Sequence, residues 1–405
     1  MRSGDWFFSD EILIGAGLFF TMASPERRRF PGEVDAAHPE PFTVAPPDVE
    51  EKKEGQLPRE EIQKFFDEGY IVVRDYFSRE QLDPCTEDIS LMVDQLANKL
   101  YTAGKISDLY SDYGLFERLT KLEDEYPGSN VLLFKFQKMP KVTLPTPSLT
   151  TIVPCPGQSF QRLWTNDRLL NLMEQILGPD VAGHPVWNLR TKTPRSEAVN
   201  IPWHQDSAYM SNESYDHMIA SAWIPFLDAT PENGTLQLAK KGHRSGKVAV
   251  HECCAGPTWY IMLQEEKMRD TLGVDLAKDI VTEPVPCGSF ILFNNLIPHR
   301  SLPNVSNQVR WSVDLRWQSP HHNYGFYDIQ DGVIFRSRDQ PNLVPDWEKF
   351  FSVDRKEVWR KQYAKAVSEG PDEGQFDTRI TGPWIGKWET VHHNSHTDLF
   401  QQITA

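Results

Sequence analysis

The chain has 405 residues, of which 39% are hydrophobic, and this is enough apolar material for a sizeable core. Its formal net charge of −15 argues against a general nucleic-acid-binding surface or a surface for anionic membranes. The five cysteines include no C-x-x-C pair, which predicts reduced thiols and a cytoplasmic protein.

The first 55 residues are predicted to be a disordered or mobile arm. Residues 12–20 form an apolar run, but acidic residues precede it, and it is too short to span a membrane. A signal peptide or membrane anchor is therefore not expected. From residue 23 onward the segment is rich in Pro, Glu and Lys with little apolar periodicity, which is typical of a chain that does not fold alone.

Ordered structure is predicted to begin near Leu57 with helices. The first helix carries an apolar stripe and ends at Gly69, where a glycine supplies the usual C-terminal stop. A buried strand at residues 70–73 follows. Further helices are predicted after Ser78, which opens a capping-box pattern, and after Asn166, which suits an N-cap position.

The pattern changes after Val181 to short apolar runs separated by Gly and Pro turns, which predicts a sandwich or barrel. The predicted strands are residues 186–190, 220–227, 235–239, 290–293 and 311–317. Helices first and strands later indicate an α+β, mainly β fold, namely a double-stranded β-helix (jelly roll, cupin-like) with supporting N-terminal helices. We predict this domain at residues 56–330, and a C-terminal helical extension packed on the same domain at residues 331–405.

A His-x-Asp pair and a distant histidine stand out as candidate metal ligands. His204 and Asp206 are two residues apart, so on a strand their side chains point to the same side. His299 follows a predicted strand and is preceded by Pro298. Two imidazoles and one carboxylate are the facial triad of non-heme Fe(II) oxygenases, which leaves coordination positions open for other ligands.

Arg310 is a candidate anchor for a carboxylate co-substrate. Residues 303–307 predict a turn, so a hairpin would return Arg310 beside the strand of His299. A guanidinium binds a carboxylate through two parallel hydrogen bonds, as 2-oxoglutarate would require. The alternative for Arg310 is a salt bridge to an internal Asp or Glu.

Other basic residues have competing interpretations. His243 and His251 are rivals of His299 as the third ligand. The segment containing His392, His393 and His396 resembles a loose zinc cluster, but it lacks a Cys or carboxylate to complete a tetrahedral site, so a solvated or packed segment is expected. The basic run at residues 240–244 suits either the phosphates of coenzyme A or a solvated turn.

These motifs resemble the phytanoyl-CoA dioxygenase family over roughly residues 57–317. The resemblance is carried by the Trp-His-Gln-Asp motif at residues 203–206, the run at 228–236, the Lys-Gly-His motif at 241–243, and His299 with Arg310. It implies a jelly roll that holds Fe(II). It implies that His204, Asp206 and His299 bind the metal and carry catalysis. It implies that Arg310 anchors 2-oxoglutarate with help from Ser301, and that Trp223 is an aromatic wall of the co-substrate pocket. Lys192 would be a lysine near the co-substrate, and Arg190 is a rival for that role.

The resemblance further implies an Fe(II)- and 2-oxoglutarate-dependent dioxygenase. Such an enzyme uses O₂ to hydroxylate an aliphatic C–H bond of a small-molecule or acyl substrate and releases succinate and CO₂. A halogenating branch of the family lacks the carboxylate ligand, so Asp206 favours hydroxylation. The chain does not end in a peroxisomal tripeptide, so the cytoplasm is the expected location, and the family resemblance leaves the peroxisome as the alternative.

Two functions from other classes stay open. One is a catalytically silent metal-binding jelly-roll protein with a binding or regulatory role, and the other is a zinc hydrolase that uses the same three side chains. The sequence predicts no nucleic-acid or membrane partner. The identity of the substrate and the oligomeric state are left open by the residues.

Overall fold

The computed structural model describes residues 29–136, 157–363 and 374–404. The predictions made for residues 1–28 lie outside these ranges. Within them, none of the helices is both long and apolar enough to cross a membrane.

The secondary-structure elements are numbered in chain order. The helices are α1 Glu40–Thr43, α2 Arg59–Glu68, α3 Arg79–Thr102, α4 Leu115–Glu125, α5 Ser129–Phe136, α6 Gln158–Trp164, α7 Asp167–Leu177, α8 Glu265–Leu272, α9 Trp347–Ser352, α10 Arg355–Tyr363 and α11 Ser395–Thr404. The strands are β1 Tyr70–Val73, β2 Val181–Gly183, β3 Asn188–Lys192, β4 Ala220–Pro225, β5 Leu236–Ala239, β6 Glu252–Cys253, β7 Ile261–Met262, β8 Ile280–Thr282, β9 Phe290–Asn294, β10 His299–Ser301, β11 Arg310–Gln318, β12 Val333–Arg336 and β13 Glu389–Thr390.

The helix ends follow the local sequence signals. Helix α2 ends at Gly69, whose φ of 86° lies in the left-handed region that glycine adopts without a Cβ clash. At the start of α3 the Gln81 side chain accepts a hydrogen bond from the backbone N–H of Ser78 at 3.0 Å. At the start of α7 the Asn166 side chain accepts from two backbone N–H groups. The sequence therefore predicts these boundaries because each depends only on neighbouring residues.

A large antiparallel sheet forms the centre of the fold. Its strand order is β1-β9-β4-β11-β2-β12, and β3 also pairs with β11. Strand β11 is buried along its whole length and is paired with β4 on one side and with β3 and β2 on the other. Two three-stranded sheets accompany it, in the orders β10-β5-β8 and β13-β6-β7. Antiparallel sheets together with helices make a mixed α+β fold, as predicted.

Residues 29–55 differ from the predicted mobile arm. Phe42 in α1 is fully buried in the main hydrophobic core. The backbone N–H of Gly32 donates to the carbonyl of Lys387, and that of His38 donates to the carbonyl of Gly246. A single buried aromatic in a polar, proline-rich segment produces no periodic signal, which is why the sequence predicts an arm where the structure has a packed segment.

The segment after residue 330 packs on the rest of the chain through aromatic and aliphatic side chains. Trp347 of α9 contacts Trp164 of α6 with ring centroids 6.0 Å apart. Trp359 of α10 and Leu399 of α11 share a buried cluster with Ile329. Strand β13 pairs in parallel with β6, so this segment also joins a sheet.

The cysteines differ in part from the predicted reduced state. Cys253 and Cys254 are joined by a disulfide. Cys85 and Cys287 are free thiols. The fifth cysteine, Cys155, lies outside the described residues.

We expect Phe42→Ala to lower the free energy of unfolding by about 3–5 kcal/mol, because it removes a fully buried aromatic ring and leaves a cavity. Val44, two residues later, is 65% exposed, so Val44→Ala is the matched control and should change stability by less than about 0.5 kcal/mol. Urea unfolding curves of the two variants would test this. Equal stabilities of the two variants would contradict the packing of this segment.

Candidate metal centre and anion pocket

The backbone brings two histidines together from distant parts of the chain. His204 and His299 form an antiparallel bridge, in which each backbone N–H donates to the other residue's carbonyl, at 3.0 Å and 2.9 Å. Their rings lie 4.2 Å apart between centroids. Asp206 follows at the start of a short 3-10 turn, Asp206–Tyr209, rather than on a strand as the spacing predicts. All three side chains are buried.

The three side chains present ligand atoms to one point. These atoms lie within 4.8 Å of one another. Oδ1 of Asp206 is 3.6 Å from Nε2 of His204 and 3.9 Å from Nε2 of His299. The other ring nitrogen of each histidine contacts a backbone carbonyl, that of Pro202 at 2.9 Å and that of Ile297 at 3.1 Å. An Nδ1–H that donates to a carbonyl leaves Nε2 with its lone pair free for a metal.

Arg316 holds the far side of the Asp206 carboxylate. Its Nε and Nη2 donate to Oδ2 of Asp206 at 3.0 Å and 2.8 Å, and the Ser221 hydroxyl lies 3.4 Å from the same oxygen. Burial by itself raises the pKa of Asp206, but Arg316 and the two histidines outweigh burial and hold this pKa well below its usual value. The carboxylate is thus ionised, and Oδ1 is the oxygen directed toward the imidazoles.

Arg316 belongs to a polar row that sequence reasoning missed. In β11 the polar residues Arg310, Ser312, Asp314 and Arg316 alternate with the apolar residues Trp311, Val313, Leu315 and Trp317, and all of these side chains are buried. Alternate residues of a strand point to one face, so the polar residues share a face. This alternation is the sequence signal that could have identified Arg316, because a strand buried on both faces is normally apolar throughout.

Arg190 is neutralised within this network. Its Nη2 and Nε lie 2.5 Å and 2.7 Å from Oδ2 of Asp314. The same carboxylate oxygen is 3.8 Å from Nη2 of Arg316. Asp314 therefore links the two arginines, and Arg190 has a fixed internal partner.

Lys192 and Arg310, in contrast, form a pair of buried cations. They lie opposite each other in the register of β3 and β11. Nζ of Lys192 donates to the Ser301 hydroxyl and to Oδ1 of Asn200, both at 2.7 Å. Nη1 of Arg310 donates to the Ser312 hydroxyl at 2.5 Å. In the parts of the chain that the structure describes, no carboxylate forms an ion pair with either cation.

The electrostatics of this cation pair are those of an anion pocket. Nε of Arg310 is buried and has no hydrogen-bond partner among the described residues. Burial lowers the pKa of Arg310 to about 9, and burial together with the charge of Arg310 lowers the pKa of Lys192 well below its usual value. Two adjacent cations in a buried site are unfavourable unless an anion pairs with them. Trp223 lies against the Arg310 guanidinium, with its ring centroid 4.9 Å away.

The three side chains that could hold a metal ion, His204, Asp206 and His299, are called the metal-ligand cluster below. A cavity of about 270 Å³ opens onto this cluster, and His204 and Asp206 line it. A smaller cavity of about 20 Å³ is lined by Lys192 and Arg310. The residues that line both cavities are Phe134, Arg190, Ile201, Trp259 and Tyr260. The metal-ligand cluster and the cation pair are therefore neighbouring parts of one interior region.

The rival histidines have other partners. Nε2 of His243 contacts the Phe66 carbonyl at 2.9 Å, and His251 accepts a hydrogen bond from the backbone N–H of Gln205 at 3.1 Å. His396 contacts the backbone of Ile380. In the described residues, the three side chains at 204, 206 and 299 are the group of His, Cys, Asp and Glu that could hold a metal ion. In the basic run at 240–244, Arg244 is partly exposed, with a nitrogen 3.8 Å from Asp67.

Comparison with known proteins supplies the family. The sequence profile of the phytanoyl-CoA dioxygenase (PhyH) family matches residues 65–312. A 1-deoxypentalenic acid 11-beta-hydroxylase of Streptomyces arenae is 25% identical in an alignment of 182 positions, and the match covers 41% of this chain and 59% of that protein. The phytanoyl-CoA dioxygenase domain-containing protein 1 homolog of Caenorhabditis elegans is 23% identical over 66% of this chain and 97% of that protein.

Among solved structures, EctD from S. alaskensis with 2-oxoglutarate and 5-hydroxyectoine is similar at a TM-score of 0.46. The sequence identity is 17%, and the match covers 78% of this chain and 89% of that one.

We expect Arg316→Gln to weaken divalent-metal binding by about 10–100-fold, because the variant no longer orients Asp206 through two charged hydrogen bonds. Titration with Mn(II) would measure this. Arg336→Gln is the matched control, since Arg336 pairs with Glu174 of α7 at 2.9 Å outside the metal-ligand cluster. Unchanged Mn(II) affinity in a folded Arg316→Gln protein would contradict the orienting role of Arg316.

Proposed function

Because this chain belongs to the phytanoyl-CoA dioxygenase family, we propose that it is an Fe(II)- and 2-oxoglutarate-dependent dioxygenase that hydroxylates an aliphatic C–H bond of a small-molecule or acyl substrate. The predicted family is confirmed by the profile match. We further propose that the large sheet and the β10-β5-β8 sheet are the two sheets of a double-stranded β-helix, which would place the metal centre between them.

We infer that His204, Asp206 and His299 are the ligands of Fe(II). The donor set fits the metal, since two imidazole nitrogens and one carboxylate oxygen converge from buried positions with their second atoms already hydrogen-bonded. When bound, the iron supplies the oxidative chemistry in which 2-oxoglutarate and O₂ yield succinate and CO₂ and a substrate C–H becomes C–OH.

The buried cation pair is the single observation that carries the proposal. We infer that Arg310 and Lys192 bind the distal carboxylate of 2-oxoglutarate. The described residues offer neither cation a carboxylate, and this anion would supply the negative charge that a buried cation pair requires. Ser312 would orient the Arg310 guanidinium through its hydroxyl. Ser301 would act on Lys192 rather than on Arg310, since its hydroxyl is 2.7 Å from the lysine nitrogen. Trp223 would pack on the guanidinium as a pocket wall.

The walls of the larger cavity would keep water from the reacting groups. The ring of Tyr209 contacts His204 edge-on, with centroids 5.4 Å apart, and it also contacts Trp384 at 6.2 Å. The Tyr209 hydroxyl accepts a hydrogen bond from the backbone N–H of Ile261, so the ring is held in place. A dry, rigid wall beside the metal favours oxidation of the bound substrate over side reactions with water.

The cation pair also favours this function over a zinc hydrolase, one of the two other functions that the sequence leaves open. A zinc hydrolase would need no buried anion pocket beside the three metal ligands. A silent binding protein would gain nothing from two unpaired cations unless it too bound an anion there. Binding of 2-oxoglutarate without turnover is therefore the result that would favour a binding role.

Succinate formation from 2-oxoglutarate tests the proposed function. The purified protein would be reconstituted with Fe(II) without oxygen and then exposed to O₂, with and without a panel of small metabolites and acyl-CoAs. Iron- and O₂-dependent succinate would support the proposal. Retention of iron and 2-oxoglutarate with no succinate under any of these conditions would favour the silent binding protein.

We expect Asp206→Ala to abolish iron-dependent succinate formation while the protein stays folded. The variant loses the one carboxylate of the three inferred ligands, and with it the charge that offsets the iron. Fe(II) binding by equilibrium dialysis and circular dichroism would be recorded beside activity. Normal activity of the variant would refute Asp206 as a ligand.

We expect Arg310→Met to weaken 2-oxoglutarate binding by about 10–100-fold, because a charged hydrogen bond in a buried site contributes about 1.5–3 kcal/mol. The wild type should prefer 2-oxoglutarate to 2-oxobutyrate, which lacks the distal carboxylate, and the variant should lose this preference. Arg300→Met is the control, since Arg300 on β10 bonds Gln237 of β5 instead. A variant that still discriminates between the two acids would contradict the assigned anchor.

A further inference from the structure

The segment after residue 330 supplies much of the wall of the larger cavity. Helix α10 contributes Arg355, Lys356, Trp359 and Arg360 to the lining, and the segment from Arg379 to Trp384 contributes further residues. These side chains line the same cavity as His204 and Asp206. The segment is therefore part of the site and not an appendage beside it.

The charge of this cavity is opposite to that of the chain. The whole protein has a formal net charge of −15. The cationic residues of the lining are Lys135, Arg190, Arg316, Arg355, Lys356, Arg360 and Arg379, whereas Asp206 is the carboxylate among the described lining residues. How much of this positive charge a ligand can use depends on which of these cations already have partners inside the protein.

Several of these cations already have carboxylate partners. Arg190 and Arg316 pair with Asp314 and Asp206, as described above. Nη2 of Arg379 lies 3.0 Å from Oδ2 of Asp377. Carboxylates inside the protein therefore neutralise the charge of these three arginines. Their main role is to stabilise the wall of the cavity and not to bind an anionic ligand.

Arg355 is held by neutral groups instead. Its Nε donates to Oε1 of Gln330 at 2.6 Å, and its Nη2 donates to the carbonyl of Pro185 at 2.7 Å. Its guanidinium lies over the ring of Phe326, 5.1 Å from the centroid. Over the described residues no carboxylate pairs with it. Desolvation lowers the pKa of Arg355 to about 10, so the group stays charged at neutral pH.

The guanidinium of Arg355 therefore has a fixed orientation, and no described carboxylate neutralises its positive charge. Three neutral contacts orient the group, and they leave Nη1 without a protein partner among the described residues. An arginine held in this way is prepared to bind an oxyanion, because little side-chain entropy is lost on binding.

Apart from Asn188 and Thr381, the remaining lining residues are apolar or aromatic. The aromatic ones include Phe134, Tyr209, Trp259, Phe326 and Trp384. A cavity of about 270 Å³ with such walls suits a compact apolar body. The cavity thus combines an apolar interior, one unbalanced arginine and the metal-ligand cluster.

We propose that the substrate oxidised at this site is a compact apolar molecule with one oxyanion, a carboxylate or a phosphate, which binds Arg355 while the apolar body lies against the aromatic walls. The identification of this ligand as the substrate rests on the proposed dioxygenase function. The binding of the anion by Arg355 does not need turnover, so the two can be tested separately.

Binding of matched probes tests the proposal. The full-length protein, loaded with Fe(II) and saturated with 2-oxoglutarate in the absence of O₂, would be titrated with 2-naphthoate, 2-naphthyl phosphate and the neutral 2-naphthamide. Saturation with 2-oxoglutarate occupies the Arg310 pocket, so that the probes report on the larger cavity. Isothermal titration calorimetry would give the three affinities. We expect at least one anion to bind about tenfold or more tightly than the amide.

Two variants assign the preference to Arg355. Arg355→Gln should lose the preference for the anion and leave the affinity for 2-naphthamide nearly unchanged, whereas Arg355→Lys should keep part of the preference. Lys361→Gln is the matched control, because Lys361 lies on the same helix, is 73% exposed and pairs with Glu357 outside the cavity. This control should bind all three probes as the wild type does.

The outcomes separate this proposal from the proposed function. Equal binding of the amide and both anions, no binding of any probe, or a preference that persists in Arg355→Gln would overturn the role of Arg355. A preference lost in Arg355→Gln supports that role even if succinate never forms, in which case the dioxygenase function fails alone. Succinate formation stimulated only by neutral compounds would leave the dioxygenase function intact and overturn the anionic substrate.

Discussion

The buried carboxylate of Asp206 is the group on which the rest of the site depends. An isolated carboxylate in a protein interior is strongly unfavourable, and Arg316 compensates for it with two hydrogen bonds to one oxygen. The second oxygen is then directed to the two imidazoles. The same ion pair that makes the burial of Asp206 tolerable therefore also decides which of its atoms is available to a metal.

The need of each buried charge for a partner applies along the whole of strand β11. Its apolar face, with Trp311, Val313, Leu315 and Trp317, belongs to the main hydrophobic core. Its polar face contributes Arg316 to the metal-ligand cluster and Arg310 to the anion pocket, with Asp314 between them. A strand buried on both faces can carry such a row only if each charge finds a partner. Among the described residues, Arg310 is the member of this row that has no carboxylate partner, and this imbalance marks the proposed place of the co-substrate.

The arginines that line the larger cavity also differ in whether a carboxylate pairs with them. Arginines that serve the architecture are paired with Asp206, Asp314 or Asp377, and Arg355 is held by an amide, a carbonyl and a ring. An arginine that pairs with a carboxylate stabilises the fold, whereas an arginine held only by neutral groups is a candidate for ligand binding. This distinction identifies a binding residue better than the number of arginines in the cavity does. It also gives the segment after residue 330 a part in the site, because that segment contributes Arg355 and much of the aromatic wall.

The sequence by itself determined the features that depend on neighbours in the chain. The His-x-Asp spacing, the Pro-His pair at residues 298–299 and the helix ends at Gly69 and Asn166 are all local patterns, and so the family resemblance could be recognised from them. The predicted hairpin between His299 and Arg310 was wrong, because β10 pairs with β5 whereas Arg310 lies opposite Lys192 of β3. Only the tertiary structure decided which charges meet. Arg316 lies 110 residues after Asp206, and Arg355 is oriented by Pro185 from 170 residues earlier in the chain. Such contacts depend on sheet register and on the packing of distant segments, and no local period of the sequence encodes them.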